Sequence, residues 1–419
     1  MDNHHCYAHW WRSVIMVLVS GVLLSGCIEA VPMSEPVTIR FMFLDIDRDY
    51  YEGLLPQFQE QYPGITVELD ARSYRRWQPD QRLEGADVLA AGDSVLNPLL
   101  EQGALLELDA LLDQDSTFNQ DDLYPGTLEQ FMRDGRRWGI PAGLDPLVVF
   151  YNEDLFDRYD VPYPQPGWTR SDFEEAILRL RDEQAQVFGY APSAIYLDAT
   201  LFIYAHGGRL FDDLRDPTLS TFNDALTLET LEWYFGLMHT EHAIPTPDEL
   251  MQFGGGEEQG AYYGFARNQV GMFFAGYSQG GGRYWPQRWT MRWGMTSLPR
   301  DAKQIAFASS EGYYITSQTD HPDACWQWIA FLSRYAPNRF VPPRQSIVQS
   351  SAYENEVGPE SVATIRAALS GELLMNPTSS TAGLEADFGL FVQAIQSIAT
   401  QASTPVEAME QAQREATLK

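Results

Sequence analysis

Cysteine is scarce in this 419-residue chain, which contains three copies. Cys6 and Cys27 lie in or at the end of an N-terminal segment with the features of a signal peptide, so Cys325 is alone in the rest of the chain. A lone cysteine excludes an intramolecular disulfide framework and a cysteine-based metal site. The chain is nevertheless long enough for two domains with apolar cores of their own.

Lysine is also almost missing, because it occurs only at positions 303 and 419. The chain has 28 basic and 58 acidic residues, which gives a formal net charge of −30 at pH 7. A net acidic field repels phosphate groups. This composition argues against nucleic acid and anionic membrane surfaces as partners.

A long membrane-spanning run is absent from the N-terminus, where the apolar stretch from Val14 to Leu24 covers eleven residues. A helix that spans a bilayer needs about twenty, whereas this length suits the hydrophobic region of a secretory signal peptide. The residues Leu24 to Cys27 resemble the bacterial lipobox. They predict a signal peptide at 1–26, a lipidated Cys27 and a linker at 27–35. The alternative is an ordinary signal peptide that ends at a free cysteine.

Strand and helix patterns alternate through the first half of the chain. "VTIRFMFLDID" (37–47) predicts a strand, the following "YYEGLLPQFQEQYPG" a helix, and "ITVELDA" a second strand. This is the βαβ unit of a parallel sheet. The stretch 138–159 predicts a strand, a loop, a strand and the start of a helix. Strand patterns return between 270 and 316, which indicates two lobes that each use non-contiguous segments.

Seven colinear segments resemble the family 1 extracellular solute-binding proteins of ABC importers, the maltose and multiple-sugar type. They are "TIRFMFLDIDRDYYEGLLPQFQEQYPGITVEL", "ADVLAAGDSVLNPLLEQGALLELDALL", "WGIPAGLDPLVVFYNEDLFDRYDVPYPQPGWTRSDFEEA", "FARNQVGMFFAGYS", "EGYYITSQTDHPDACWQWIAFLS", "PPRQSIVQSSAY" and "STPVEAMEQAQREA". Their order over more than three hundred residues makes the resemblance specific.

The resemblance implies an α/β fold of two lobes, each a mainly parallel sheet flanked by helices, with a ligand cleft between them. We expect one lobe from 36–146 and 298–333, and the other from 147–297 and 334–419. The implied function is capture of a sugar or oligosaccharide in the cell envelope and its delivery to permease subunits, by a monomer anchored through Cys27. We expect no catalytic activity, no cofactor and no metal ion.

Three carboxylates follow predicted strands and are candidates for binding sugar hydroxyls: Asp45, Asp93 and Asp145. In open parallel sheets, ligands bind beyond the carboxyl ends of the strands. Asp45 and Asp93 also precede predicted helices, so helix capping is an equal alternative for both. Capping explains Asp145 less well, because Pro146 and an apparent crossing strand follow it.

Aromatic residues form 13% of the chain and provide the flat faces on which sugar rings stack. The resemblance favours Tyr277 as such a platform, followed by Trp285 and Tyr313. For each of them, packing in a core is an equal alternative. Arg344 lies in a loop that the family also uses, although a solvated surface position is the stronger expectation for it.

Two other functions compete with sugar capture. "GYSQG" (276–280) matches the nucleophile motif of a serine hydrolase, with Ser278, Asp301 and His321 in the chain order of a triad. Three glycines and Pro286 follow Ser278, however, where that fold requires a helix.

The acidic composition also suits a cationic solute such as a polyamine. His239 and His242 lack a third metal ligand at a recognised spacing, and no local motif selects a carboxylate pair for glycoside hydrolysis.

Overall fold

The computed structural model describes residues 36–73, 76–77, 83–213, 217–282, 288–337, 339–374 and 384–417. The signal peptide and Cys27 lie outside the described residues, and so does Trp285. The interpretations of these residues therefore stay predictions.

The first lobe begins with the βαβ unit that the sequence predicts. Strand β1 (Val37–Leu44) pairs in parallel with β2 (Ile65–Arg72) and with β3 (Val88–Gly92). Helix α1 (Arg48–Gln61) connects β1 to β2 and ends just before Pro63, which has no N–H to extend it. The lobe continues with α2 (Leu96–Glu101), α3 (Asp109–Gln114), β4 (Met132–Arg133) and β5 (Arg136–Arg137).

A long strand, β6 (Ile140–Asn152), leads into the second lobe. This lobe contains α4 (Glu153–Arg158), α5 (Arg170–Leu180), β7 (Phe188–Tyr190), α6 (Ile195–His206), α7 (Ala225–His239), α8 (Pro247–Gln252), α9 (Glu257–Ala266), β8 (Val270–Gly276) and β9 (Trp293–Thr296). The sequence offers Thr169 or Ser171 as the N-cap of α5, and the structure has Thr169, which forms a capping box with Asp172.

Strand β10 (Ile305–Ile315) returns the chain to the first lobe, where α10 (Pro322–Leu332) packs. The remaining elements are α11 (Gln345–Val348), α12 (Ser351–Val357), α13 (Pro359–Ala368), β11 (Glu372–Leu374), α14 (Leu384–Ala399) and α15 (Pro405–Glu415). The sequence pattern from about residue 355 onward predicts mostly helices, and the described residues confirm this.

Strands β6 and β10 cross between the lobes as an antiparallel pair. Strand β6 starts in the core of the first lobe, at Ile140, and ends in the core of the second lobe at Tyr151. Strand β10 runs the other way, from Ile305 in the second core to Ile315 in the first. The two lobes are therefore parts of one hydrogen-bonded sheet.

The loop predicted within 138–159 is wrong, because β6 is continuous through Pro141 and Pro146. Pro146 lies where the neighbour of β6 changes. Residues 140–146 pair with β10, whereas residues 147–152 pair with β8 and β9. A strand tolerates proline at such a place, because few ladder hydrogen bonds are lost there.

The sheet order is β2-β1-β3-β10-β6-β8-β7, with β11 beside β10 and β9 beside β6. The predicted α/β class is confirmed. The sheet is mixed, because both crossing strands run antiparallel to their main neighbours, whereas β1, β2 and β3 are parallel and so are β7 and β8. Helices flank it in both lobes. The predicted residue boundaries between lobes stay a prediction.

Each lobe has an aromatic core. In the first, Phe41, Phe58 and Trp328 are almost completely buried and meet edge to face. Cys325 on α10 belongs to this core, and burial raises the pKa of its thiol to about 12. The apolar stretch "DACWQWIAFL" around Cys325 predicts a buried helix position, which the structure confirms.

Gly189 on β7 lies close to helix α5 in the second lobe. A Cβ atom at this position would lie 2.1 Å from the carbonyl oxygen of Ile177 on α5. We expect Gly189→Ala to lower the free energy of unfolding by about 1–3 kcal/mol, because backbone atoms cannot move aside as a side chain can.

Urea unfolding measures the effect, with Gly389→Ala as the matched control. Gly389 lies within α14, and its added methyl would meet no atom within 4 Å. The control should gain up to about 1 kcal/mol from the better helix propensity of alanine. Equal effects of the two substitutions would contradict the close approach.

Candidate functional site

Carboxyl ends of strands from both lobes meet beside the crossing strands. Asp45 follows β1, Asp93 follows β3, and Tyr277 and Ser278 follow β8. Asp145 lies on β6 itself, not in a loop after a strand as predicted. Ligands in sheets of this kind bind in the crevice beyond the strand ends, so this region is the candidate site.

Asp145 is held by the second lobe. The backbone N–H of Ser278 donates to its Oδ1 at 2.8 Å, and the Ser278 hydroxyl donates to its Oδ2 at 2.8 Å. Burial raises the pKa of Asp145, while the bonds from Ser278 and the charge of Arg339 oppose that rise. The side chain is half-buried and pairs across the sheet with the exposed Ser309. Asp145 therefore offers a positioned carboxylate at the floor of the crevice.

A buried ion-pair cluster lies beside Asp145, and sequence reasoning missed it. Arg339 lies 3.1 Å from Asp47 through both Nε and Nη2, and 3.2 Å from Glu311 through Nη2. Asp47 follows β1 and Glu311 lies on β10, so this guanidinium connects a strand end to a crossing strand. The signal available in the sequence was a second acidic residue two positions after Asp45.

Asp93 lies next to this cluster, because Gly92 is the cross-strand partner of Glu311. Burial raises the pKa of Asp93, and the nearby Arg133 counteracts the rise. Asp45 is placed differently. It is exposed and lines a cavity of about 450 Å³ together with Arg40 and Arg72, which contains neither Asp93 nor Asp145. The structure thus brings Asp93 and Asp145 together without Asp45.

Tyr313, a predicted aromatic platform, lies in the core of the first lobe. Tyr313 is 1% exposed, and its ring packs against Phe41 while its hydroxyl pairs with Tyr51. It cannot present a face to a solute in this structure. Tyr314, on the opposite face of β10, is buried as well, so both faces of the strand are covered here.

Arg344 is neither solvated nor at the site. Its side chain donates to the carbonyl oxygens of Ser333 at 2.8 Å and Asn119 at 2.9 Å, and its guanidinium lies 4.8 Å from the Phe118 ring centre. It is 6% exposed and fastens the loop before α11 to the first lobe. Carbonyl groups far away in sequence provide this site, so the local sequence does not show it.

Tyr277 is half-buried at the predicted strand end and is hydrogen-bonded to Tyr353. A second aromatic residue, Tyr196, is a further candidate, and its ring contacts Phe388 of α14 with 6.0 Å between the ring centres. It lies in the first turn of α6, shortly after the carboxyl end of β7, and is 38% exposed. The signal for it was an aromatic residue between a strand and the helix that follows.

Another cavity has a volume of about 1210 Å³. It is lined by residues of both lobes, including Tyr124, Arg133, Tyr204 and Leu144. Consecutive residues of a strand point to opposite faces, so Leu144 and Asp145 face different sides of β6. None of the predicted binding residues that the structure describes lines this cavity.

Comparison with known proteins identifies the family. The model of the bacterial extracellular solute-binding protein family matches residues 46–337. This chain belongs to that family. The curated arabinooligosaccharide-binding protein of Halalkalibacterium halodurans is 23% identical over 331 residues, which are 74% of this chain and 71% of that protein.

Solved structures confirm the two-lobe fold of the solute-binding protein. An ABC substrate-binding protein from Listeria monocytogenes, in complex with cycloalternan, has a TM-score of 0.72 and 18% identity, covering 91% of this chain and 98% of that one. The cyclic alpha-maltosyl-1,6-maltose binding protein from Arthrobacter globiformis has a TM-score of 0.72 and 15% identity, covering 90% and 97%.

Two features are absent from the described part of the solute-binding protein. No helix there combines the length and apolar character needed to cross a membrane. The same residues contain no group of three or more histidine, cysteine or acidic side chains arranged to hold a metal ion. His239 instead contacts the carbonyl of Ile398, and His242 contacts Glu249.

The hydrolase residues are not assembled in the solute-binding protein. Ser278 donates to Asp145, a carboxylate, where a triad requires a histidine. Asp301 bonds His206 at 2.8 Å and Arg170 at 3.1 Å, while His321 is exposed and precedes α10. Within the described residues, Ser278 therefore lacks the histidine base of a triad.

We accordingly expect no reaction of Ser278 with a fluorophosphonate probe, because a hydroxyl without such a base is a weak nucleophile. Mass spectrometry of the treated protein measures labelling, with a serine protease as positive control and Ser278→Ala as background. Labelling that Ser278→Ala abolishes would restore the hydrolase interpretation.

Proposed function

We propose that this solute-binding protein captures a saccharide in the crevice beside the crossing strands and presents it to the permease subunits of an ABC importer. The observation that carries the proposal is Asp145. It is a half-buried carboxylate on a strand shared by both lobes, and Ser278 orients it toward the crevice. A carboxylate fixed in this way can accept hydrogen bonds from sugar hydroxyls.

Further groups around the crevice suit a sugar. Asp93 supplies a second carboxylate, while Tyr277 and Tyr196 supply aromatic surface from the second lobe. Sugar rings combine hydroxyls with apolar C–H faces, so a site that mixes acceptors and aromatic rings recognises both. Trp285 and Asp45 stay candidates from the sequence. The relatives named above bind arabinooligosaccharide, cycloalternan and a cyclic maltosyl-maltose, as their names state.

Capture works by lobe closure and requires no catalysis. The lobes share only a few connections at the crossing strands, which allows a hinge motion there. A solute that contacts both lobes favours the closed state over the open one, and this difference in affinity shifts the population. The permease can then distinguish the loaded protein from the empty one.

A cationic solute is the second candidate. The crevice contains Asp47, Asp93, Asp145 and Glu311 near Arg339 and Arg133, so carboxylates outnumber guanidinium groups. A polyamine would interact favourably with such a surplus.

We expect a thermal-shift screen of the purified protein to reveal one class of saccharide, because a ligand that binds only the folded state raises the midpoint by mass action. Tyr196→Ala should weaken binding of that saccharide about tenfold, which corresponds to about 1.4 kcal/mol. Titration calorimetry measures the dissociation constants.

The control is Met251→Ala, which removes a 52% exposed side chain on α8 and should leave affinity unchanged. Shifts with polyamines and none with sugars would favour the second candidate. Equal affinities of Tyr196→Ala and the unaltered protein would remove Tyr196 from the site.

The proposed anchor is tested through Cys27. Cys27→Ser should abolish incorporation of a palmitate analogue and release the protein from the membrane fraction, because the acyl chains attach through this sulfur. Cys6→Ser is the matched control and should change neither result. A membrane-retained Cys27→Ser protein would indicate an uncleaved signal or another attachment.

A further inference from the structure

We propose that this protein couples solute capture to the uptake of one proton, which is carried by Glu311 within the cluster of Asp47, Asp145, Glu311 and Arg339. The inference rests on the proposed function, because it concerns how the same crevice responds when a solute closes it.

The cluster joins four segments that meet at the crevice. Asp47 comes from the end of β1, Glu311 from β10 and Asp145 from β6. Arg339 comes from a third connection between the lobes, in which Val341 exchanges two backbone hydrogen bonds of 2.8 Å with Leu144. A change of charge here therefore acts on all three connections.

The charges of the cluster do not balance. Three carboxyl groups share one guanidinium, so full ionisation would leave two uncompensated negative charges in a crowded space. Arg339 contacts Asp47 with two nitrogens and Glu311 with one. Asp145 receives neutral donors from Ser278. One bound proton removes part of this imbalance, and Glu311 has the weakest share of the guanidinium among the two acids that Arg339 contacts.

Glu311 has no other cation among the groups that act on it in the described part of the chain. The titratable and charged groups around it come from the loop after β1, α1, β6, β10 and the third connection: Asp47, Tyr51, Asp145, Tyr313, Tyr314 and Arg339. Apart from Arg339 these groups are acids. An ionised Glu311 disfavours the ionised form of each of them.

Burial supports the same assignment. Glu311 is 8% exposed and Asp47 is 5% exposed. Burial raises the pKa of Glu311 to about 7, with the Asp47 and Asp145 charges adding to the rise and Arg339 opposing it. The proton on Glu311 is therefore exchanged near neutral pH.

Closure of the lobes gives the coupling its sign. A solute that covers the crevice removes the water that still reaches Glu311 and the half-buried Asp145, and loss of water disfavours a charged carboxylate. The closed state then holds the proton more tightly than the open state. By linkage, affinity is highest at low pH and falls as pH rises through neutrality.

The experiment measures dissociation constants from pH 5.5 to 9 by titration calorimetry, with arabinotriose and maltotriose as probes. We expect affinity to weaken about tenfold between pH 6 and 9. Repeating the titration at pH 7 in buffers of different ionisation enthalpy should show proton uptake. Glu311→Gln should abolish the pH dependence, whereas Glu60→Gln, an exposed residue of α1, should retain it.

Asp47→Asn tests whether Glu311 carries the proton. A purely structural role of Asp47 would leave the pH midpoint of binding unchanged. Loss of the Asp47 charge lowers the pKa of Glu311, because this charge adds to its rise. The midpoint of the affinity profile should therefore move to lower pH.

A measurement without solute tests the proton itself. The folded state binds this proton more tightly than the unfolded state, so its stabilising effect is complete at low pH and is lost as pH rises through about 7. The change in thermal midpoint that Glu311→Gln causes, measured against the unaltered protein, should therefore be more positive at pH 8 than at pH 5. The same shift at both values would overturn the assignment to Glu311.

The remaining outcomes separate the two proposals. Binding of either probe with a pH-independent constant overturns the coupling and leaves the proposed function standing. Proton release, with affinity that rises with pH, overturns the coupling and favours a cationic solute. Failure of both probes and of the wider saccharide screen at every pH contradicts the proposed function, and the coupling falls with it.

Discussion

The antiparallel pairing of β6 with β10 is the interaction on which the rest of the structure depends. Each strand ends in a different lobe, so the ladder of backbone hydrogen bonds between them joins the cores of the two lobes. The ladder also determines what the crevice contains, because it places Asp145 opposite Ser309 and Glu311 next to Gly143. A carboxylate on such a strand belongs to both lobes at once.

The local fold was largely predictable, because short-range signals determine it. The βαβ unit, the capping box at Thr169 and the helix around Cys325 all follow from apolar periodicity and capping residues within a few positions. The break predicted inside β6 failed for a different reason. Pro146 is compatible with a strand only because β10 stops pairing where β8 and β9 begin, and that exchange of partners is a property of the whole sheet.

The candidate site was predictable where a side chain directly follows a strand, as Asp93 and Tyr277 do. It was not predictable where long-range partners decide the outcome. Arg344 finds carbonyl groups at positions 119 and 333, and Arg339 finds Asp47 almost three hundred residues away. Tyr313 was unpredictable for another reason. Its sequence pattern fits either face of β10, and only the packing of the core determines which face it occupies.

The buried thiol of Cys325 has a practical consequence. Its raised pKa and its place in the first core keep it from reacting with thiol reagents in the folded protein. Within the described residues it is the sole cysteine. A cysteine introduced at the rim of the crevice would then carry a fluorophore at one defined position, and the binding protein would report its own closure as a change in light emission.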